Sequence, residues 1–174
     1  TLGAALVLTS PGLPMIFQGQ ELLEGEWFRD TVPLHWDQGA QFKGIFRMYR
    51  DLVSLRLNEE GHTQGLTGQH VETLHLHPDN HVYAFHRWAD GGPHDDVVVA
   101  VNLDSKAWGE YTIGMPAAGR WVTRFNSDAK GYSDAFAGVD VPEGFVAAED
   151  DYDGHPASAT LVLPPYSAVI LSRA

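Results

Sequence analysis

Four side chains close together in the sequence have the chemistry to handle a polar ligand. Gln18, Gln20 and Glu21 follow directly on the apolar run Met15-Ile16-Phe17, and Trp27 lies a little further on. Amides and a carboxylate can hydrogen-bond hydroxyl groups or orient a neighbour that does. The flat rings of Trp27, Phe28 and Trp36 would suit the C–H face of a sugar. Each has a plainer reading beside it. Glu21 would serve loop amides, and the aromatics would pack the loop against the rest of the molecule.

Two further groups invite a metal reading. His75 and His77 lie two apart in a segment with strand-like alternation and so share a face. With His86 on the next such segment they would offer three nitrogen ligands for zinc. The chain has no cysteine to support this, and histidines on an ordinary strand are the competing reading. Glu149, Asp150, Asp151 and Asp153 form an acidic run rich in oxygen donors. It lacks the spacing of an EF-hand loop and reads as a solvated charged stretch. No glycine-rich phosphate loop or serine nucleophile elbow occurs. The expectation is no bound metal and no cofactor.

The 174 residues carry 11 Lys+Arg and 23 Asp+Glu, a formal charge of −12. So acidic a chain repels phosphate backbones, which disfavours nucleic acid as a partner and leaves a neutral polymer such as a polysaccharide open. No apolar run reaches membrane-span length. No charged region precedes the apolar start as in a signal peptide, and the expected location is cytoplasmic.

The elements that must position these residues change character near residue 60. Residues 1–9 read as the end of a buried helix, stopped by Ser10-Pro11-Gly12. Residues 14–18 are a short apolar run between turn signals, which suits a strand buried on both faces of a parallel sheet. A polar, aromatic loop runs from 20 to 37. Phe42, Ile45, Phe46, Tyr49, Leu52 and Val53 then follow a 3.6-residue period, with Asp37 a plausible N-cap. The face with Phe42, Phe46, Tyr49 and Val53 is expected to be buried, partly against the strands that come later in the chain. Helix, strand, loop, helix is one unit of an α/β barrel, and one unit cannot bury its own strand. Residues 1–58 therefore read as the end of a larger domain, 59–65 as a linker, and 66–174 as an all-β domain.

In that domain, residues 71–77 and 82–88 alternate around the turn signal Pro78-Asp79-Asn80-His81. Residues 97–101 form a continuous apolar strand, expected to be central. Residues 110–113, 121–125, 160–163 and 168–171 complete an antiparallel sandwich with long loops at 126–138 and 149–157. The domain should fold alone, with residues 1–58 leaning on it.

Residues 12–21, GLPMIFQGQE, resemble the strand-eight signature of the α-amylase family of glycoside hydrolases, with Gly12, Pro14, Gly19 and Glu21 in its fixed places. The helix over 42–57 is similar to the last barrel helix of that family, and the strands after it to its C-terminal β-domain. Two elements resemble the 1,4-α-glucan branching enzymes within the family. One is the loop from Phe17-Gln18-Gly19-Gln20-Glu21-Leu22-Leu23 to Pro33, with Leu34-His35-Trp36 standing where that group has Leu-Asp-Trp. The other is Arg124-Phe125-Asn126-Ser127-Asp128, with Tyr132 after it.

The resemblance implies a mixed fold, the end of a (β/α)8 TIM barrel followed by an all-β antiparallel sandwich. It implies a retaining glycosyl transfer that makes α-1,6 branches, run by paired carboxylates. Those carboxylates belong to earlier barrel strands, so no catalytic residue is assigned and the chain alone should be inactive. Gln18, Gln20, Glu21 and Trp27 become candidate substrate-binding residues. The implied partners are an α-glucan, reached through the parent enzyme, and the missing catalytic barrel. A hydrolase of the same family is the nearest alternative. A stand-alone carbohydrate-binding module using Trp88, Trp108 or Trp121, or a purely structural β-domain, are the others.

Overall fold

The computed structural model describes residues 1–27 and 29–174. Its body is an antiparallel sheet of six strands in the order β1-β2-β3-β8-β5-β6. These are β1 (His70–His77), β2 (Val82–Trp88), β3 (Val97–Asn102), β5 (Gly119–Asn126), β6 (Gly144–Ala147) and β8 (Ser167–Arg173). A two-stranded ribbon of β4 (Trp108–Met115) and β7 (Ala157–Leu163) lies against one face. β3 is buried at every position and pairs with β2 on one side and β8 on the other. That is the central place expected of an uninterrupted apolar run.

Alternation sends the two sides of each strand into two different cores. Leu74, Val82, Ala84, Val98, Ala100, Trp121 and Leu171 face the ribbon and meet Ile113, Met115 and Leu163. Phe85, Val97, Val99, Val101, Phe125, Ala168 and Ile170 face the other way. They are covered by α1 (Leu2–Thr9) and α3 (Lys43–Leu57), through Ala5, Leu8, Met48 and Leu52. The helices thus pack on the sheet and cover its second apolar face.

The helical half departs from the sequence reading in three places. Residues 14–18 form no strand, and Leu13 and Met15 are 99% and 79% exposed. A buried parallel strand requires hydrogen-bonded neighbours on both sides, and none stands beside this one among the described residues. The helix expected over 42–57 is preceded by a short turn, α2 (Gln38–Gln41), with a break at Phe42. Asp37 occupies the cap position of α2 without a side-chain bond. The buried stripe of α3 is Ile45, Met48 and Leu52, while Phe46 is 48% exposed and Phe42, Tyr49 and Val53 are half-buried. The helix is apolar over a wide arc and the sheet covers only part of it.

The termini of the helices are tied to the β-domain. Ser10 is extended ahead of Pro11 and ends α1. Arg87 of β2, fully buried, donates to the carbonyls of Thr9, Leu66, Gly68 and His70, and Arg56 of α3 donates to those of Ser10 and Gly12. Cations at the C-terminal end of a helix meet its partial negative charge. Burial first, and then the neighbouring Arg56, lower the Arg87 guanidinium to about 10. Asn58 ends α3 in the left-handed region, and its Oδ1 accepts from the Thr63 amide at 2.7 Å. Gly65 comes next, where a Cβ would lie 2.4 Å from the carbonyl oxygens of Arg87 and Asp95.

Candidate functional site

The segment before α2 is built on one tight turn. Gly19 has φ +87°, and its carbonyl accepts from the amides of Leu22 and Glu24 at 3.0 Å each. A Cβ at Gly19 would fall 2.7 Å from that of Glu24, so glycine is required twice over. Gln20 turns back to accept the Phe17 amide at 2.7 Å through Oε1. Leu22, 2% exposed, anchors the turn. Glu24 then closes the loop. Its carboxylate accepts the His35 amide at 3.2 Å and meets His35 Nδ1 at 2.9 Å. The His35 amide first, with burial opposing and the His35 ring assisting, holds the Glu24 carboxyl below the usual glutamate range. The histidine that departs from the Leu-Asp-Trp pattern thus has a partner of its own.

This turn brings three of the four candidate residues together. Gln18, Gln20 and Trp27 share the wall of a hollow of about 70 Å³ with Glu24, Pro33 and His35. Trp27 is 88% exposed and Trp36 68%, so neither packs the loop down. Phe28 lies outside the described residues. Glu21 is turned away from the hollow and lines a groove with Ile16, Phe46, Tyr49 and Arg50. There burial, and then the Glu21 charge, raise the Tyr49 phenol. Gln18 borders both.

The second element, residues 124–128 with Tyr132, builds a braced loop. Asp128 accepts the amides of Ala137, Gly138 and Val139 at 3.0, 2.9 and 3.4 Å. Ser127 exchanges bonds with Ala168, and Phe125 is buried. Arg124 donates through Nε to Ser172 Oγ at 2.8 Å. Tyr132 reaches across to α3 and donates to Asp51 Oδ2 at 2.8 Å. Burial first, then Asp51, push its phenol well above the usual range. A Cβ at Gly44 would lie 2.0 Å from the Tyr132 carbonyl oxygen, so the loop sits directly on the helix.

The histidine and acidic candidates go elsewhere. His75 is buried, with Nδ1 2.6 Å from Asp153 and Nε2 3.0 Å from the Tyr111 hydroxyl. Its ring stacks near His77, but His86 stands opposite Glu72 in the ladder and meets Asp96 at 3.0 Å instead. Burial alone would raise the Asp96 carboxyl; bonds from His86, the Gly92 backbone and Arg173 bring it below the usual range. Among the described residues no three His, Cys, Asp or Glu side chains converge as a metal would need. In the acidic run, Asp153 pins the 149–155 turn to β1 through His75 and to β4 through the Gly114 amide. Sequence reasoning missed these carboxylate–imidazole pairs, whose partners lie 78 and 10 positions apart in the chain.

The three tryptophans considered as sugar platforms are occupied. Trp121 is fully buried in the core, which rules it out. Trp88 stacks on His86 and His70, and Lys106 Nζ sits 3.5 Å over the ring of Trp108.

Comparison with known proteins agrees with this architecture. Residues 73–174 match the family model described as the α-amylase C-terminal all-β domain. The 1,4-α-glucan branching enzyme of Mycolicibacterium paratuberculosis is 32% identical over 167 residues, covering 92% of this chain and 22% of its own length. That of Mycobacterium tuberculosis H37Rv is 31% identical over 170 residues, covering 94% and 23%. The chain thus spans less than a quarter of these relatives. Among solved structures, the debranching enzyme from Nostoc punctiforme superposes with a TM-score of 0.63 at 19% identity, covering 97% of this chain and 30% of that one. The α-amylase from H. orenii gives 0.60 at 21%, covering 99% and 35%. At such identities the likeness is one of fold. With its six-stranded sheet, its β4–β7 ribbon and more than half of its residues within that model, this chain belongs to the α-amylase C-terminal all-β domain family.

Proposed function

We propose that the chain is the C-terminal part of a 1,4-α-glucan branching enzyme, with residues 1–58 the end of its (β/α)8 barrel, 59–65 the link and 66–174 the β-domain. The observation that carries this is the 31–32% identity with branching enzymes over more than nine-tenths of the chain, which extends well before residue 73. The surface supports it. Ile16, Phe17 and Phe46 are exposed around a groove beside α3, and Leu13 and Met15 stand in solvent, as in a segment made to be covered by further barrel strands.

The β-domain fastens the last barrel helices in place, and the loop over residues 17–36 reaches the end of the barrel where substrate is held. Gln18, Gln20 and Trp27 contact α-glucan there, and Glu21 supports α3 from the other side. The carboxylates that form and resolve the covalent glycosyl intermediate lie upstream, so the 174 residues alone are inactive. The parent works on α-glucan in the cytoplasm.

The test is the full-length parent acting on amylose. Branch points counted by chain-length profiling after debranching should rise, with little gain in reducing ends. Reducing ends that rise steadily without new branch points would make the parent a hydrolase and overturn the branching assignment.

A further inference from the structure

We infer that the cleft between α3 and the loop after β5 binds a short, neutral α-glucan segment. The ligand class rests on the function proposed above; the site itself rests on its walls. The cleft has a volume of about 310 Å³ and is lined by Asp51, Ser54, Glu60, His62, Arg124 and Tyr132. That volume is at the lower end of the ~300–1,000 Å³ usual for small-ligand sites.

The walls select by charge. Two carboxylates, Asp51 and Glu60, share the wall with one guanidinium, one imidazole and the hydroxyl residues Ser54, Thr63 and Tyr132. A phosphate or carboxylate would meet Asp51 and Glu60 and be repelled. Asp51, Glu60 and His62 all line the cleft, but among the described residues no three such side chains converge as a metal ion would need. A polyol needs acceptors and donors side by side, because each hydroxyl both gives and takes a hydrogen bond. Carboxylates beside a guanidinium and a serine hydroxyl meet that need.

The walls are also held in advance of any ligand. Arg124 is fixed through Nε to Ser172, and among the described residues its remaining donors have no protein acceptor. Tyr132 is held by Asp51, by the Arg47 guanidinium 5.5 Å over its ring and by Phe125 beneath the loop. Asp128 braces the backbone that carries both residues. Fixing the site beforehand removes part of the ordering cost of binding. The element Arg124 to Asp128 with Tyr132, which the turn before α2 leaves unused, thereby gains a role.

The test is titration of the ¹⁵N-labelled 174-residue chain with maltotriose, with cellotriose as the β-linked control. Maltotriose should shift the amides of Ser54, Glu60, His62 and Thr63 and the Arg124 Nε resonance, and cellotriose should not. Glu60→Gln, an exposed change that leaves the fold intact, should weaken binding about tenfold by removing one charged acceptor. Ser54→Ala should weaken it less. Absence of shifts in the cleft up to the solubility limit overturns the site, as do shifts confined to residues 17–36. Equal response to cellotriose overturns the α-glucan assignment. The branching assay on the parent separates the two claims. A parent that branches while the cleft stays silent sinks only the cleft, and a cleft that fills in a chain whose parent only hydrolyses sinks only the branching assignment.

Discussion

The two segments that resemble branching enzymes are built in opposite ways. The loop over residues 124–139 is finished within the chain. Its carboxylate accepts three of its own amides, its phenylalanine is buried, and its tyrosine is bonded to α3. The segment over residues 13–36 is unfinished. Beyond the Gly19 turn, Leu22 and the Glu24–His35 pair, its large side chains Leu13, Met15, Trp27 and Trp36 stand in solvent. Similarity to the same enzymes therefore has two physical meanings in one chain. One segment is a scaffold whose residues serve each other, and the other is a surface that leaves its large side chains open.

Substitutions can break or sharpen that contrast. The largest effect should come from Asp128→Ala, which strands three loop amides at once. Each unsatisfied buried donor costs about 1–3 kcal/mol; these three are part-buried, so water recovers much of that and the expected loss is about 1–3 kcal/mol in urea denaturation. A loss under about 0.5 kcal/mol, the range of ordinary surface changes, would show that the loop is not braced as described. Gly44→Ala comes next, because the added methyl meets the Tyr132 carbonyl and must push helix and loop apart. Overpacking of this kind costs about 1–3 kcal/mol, read from the same denaturation curves.

Trp27→Ala should leave the stability of the chain within about 0.5 kcal/mol. In the full-length parent it should raise the ratio of hydrolysis to transfer about 2–10-fold, the scale of one lost stacking contact. A clear stability loss with an unchanged ratio would move Trp27 from ligand contact to packing. The smallest effect is that of acid on Glu24. Its carboxyl lies below the usual glutamate range in the folded chain, so its contribution is present above that range and is lost as pH falls through the lowered value. The His35 amide resonance should move as pH falls through that lowered value. A His35 amide that stays still throughout would show that Glu24 does not close the loop.

How much was legible in the sequence depends on where the partners are. The strands of the sheet showed because alternation is local and their ladders lie within the chain. Only β6 escaped, four residues beginning with a glycine and too short to show a period. Helix α3 showed by its period, but its facing did not. Met48 and Leu52 join the core beneath the sheet, Tyr49 and Val53 pack at its edge, and with Phe46 these two also line the groove beside Ile16, so both stripes are apolar. The run 14–18 reads as a strand because it is apolar and bounded, yet strand structure belongs to pairs of segments and none pairs with it among the described residues. The candidate residues were legible as neighbours in sequence, but not that Glu21 turns to the opposite side from Gln20 and Trp27. Arg87 gave no sign at all. It stands in β2 where alternation allows a polar residue, and only the second layer of helices makes that side an interior.

The burial of Arg87 orders events in time. The carbonyl of Thr9 at the end of α1 is bonded by a residue 78 positions later in the chain. At a synthesis rate of about 5–20 residues per second, α1 waits roughly 4–16 s on the ribosome before that partner exists. During this interval its last turn is served by its own hydroxyls, from Thr9 and Ser10, by water and, once α3 is made, by Arg56. The helix can form early, but its Thr9 carbonyl is not closed until β2 is in place. A ribosome that pauses before residue 87 would hold the end of α1 in a reversible state, still able to correct its packing.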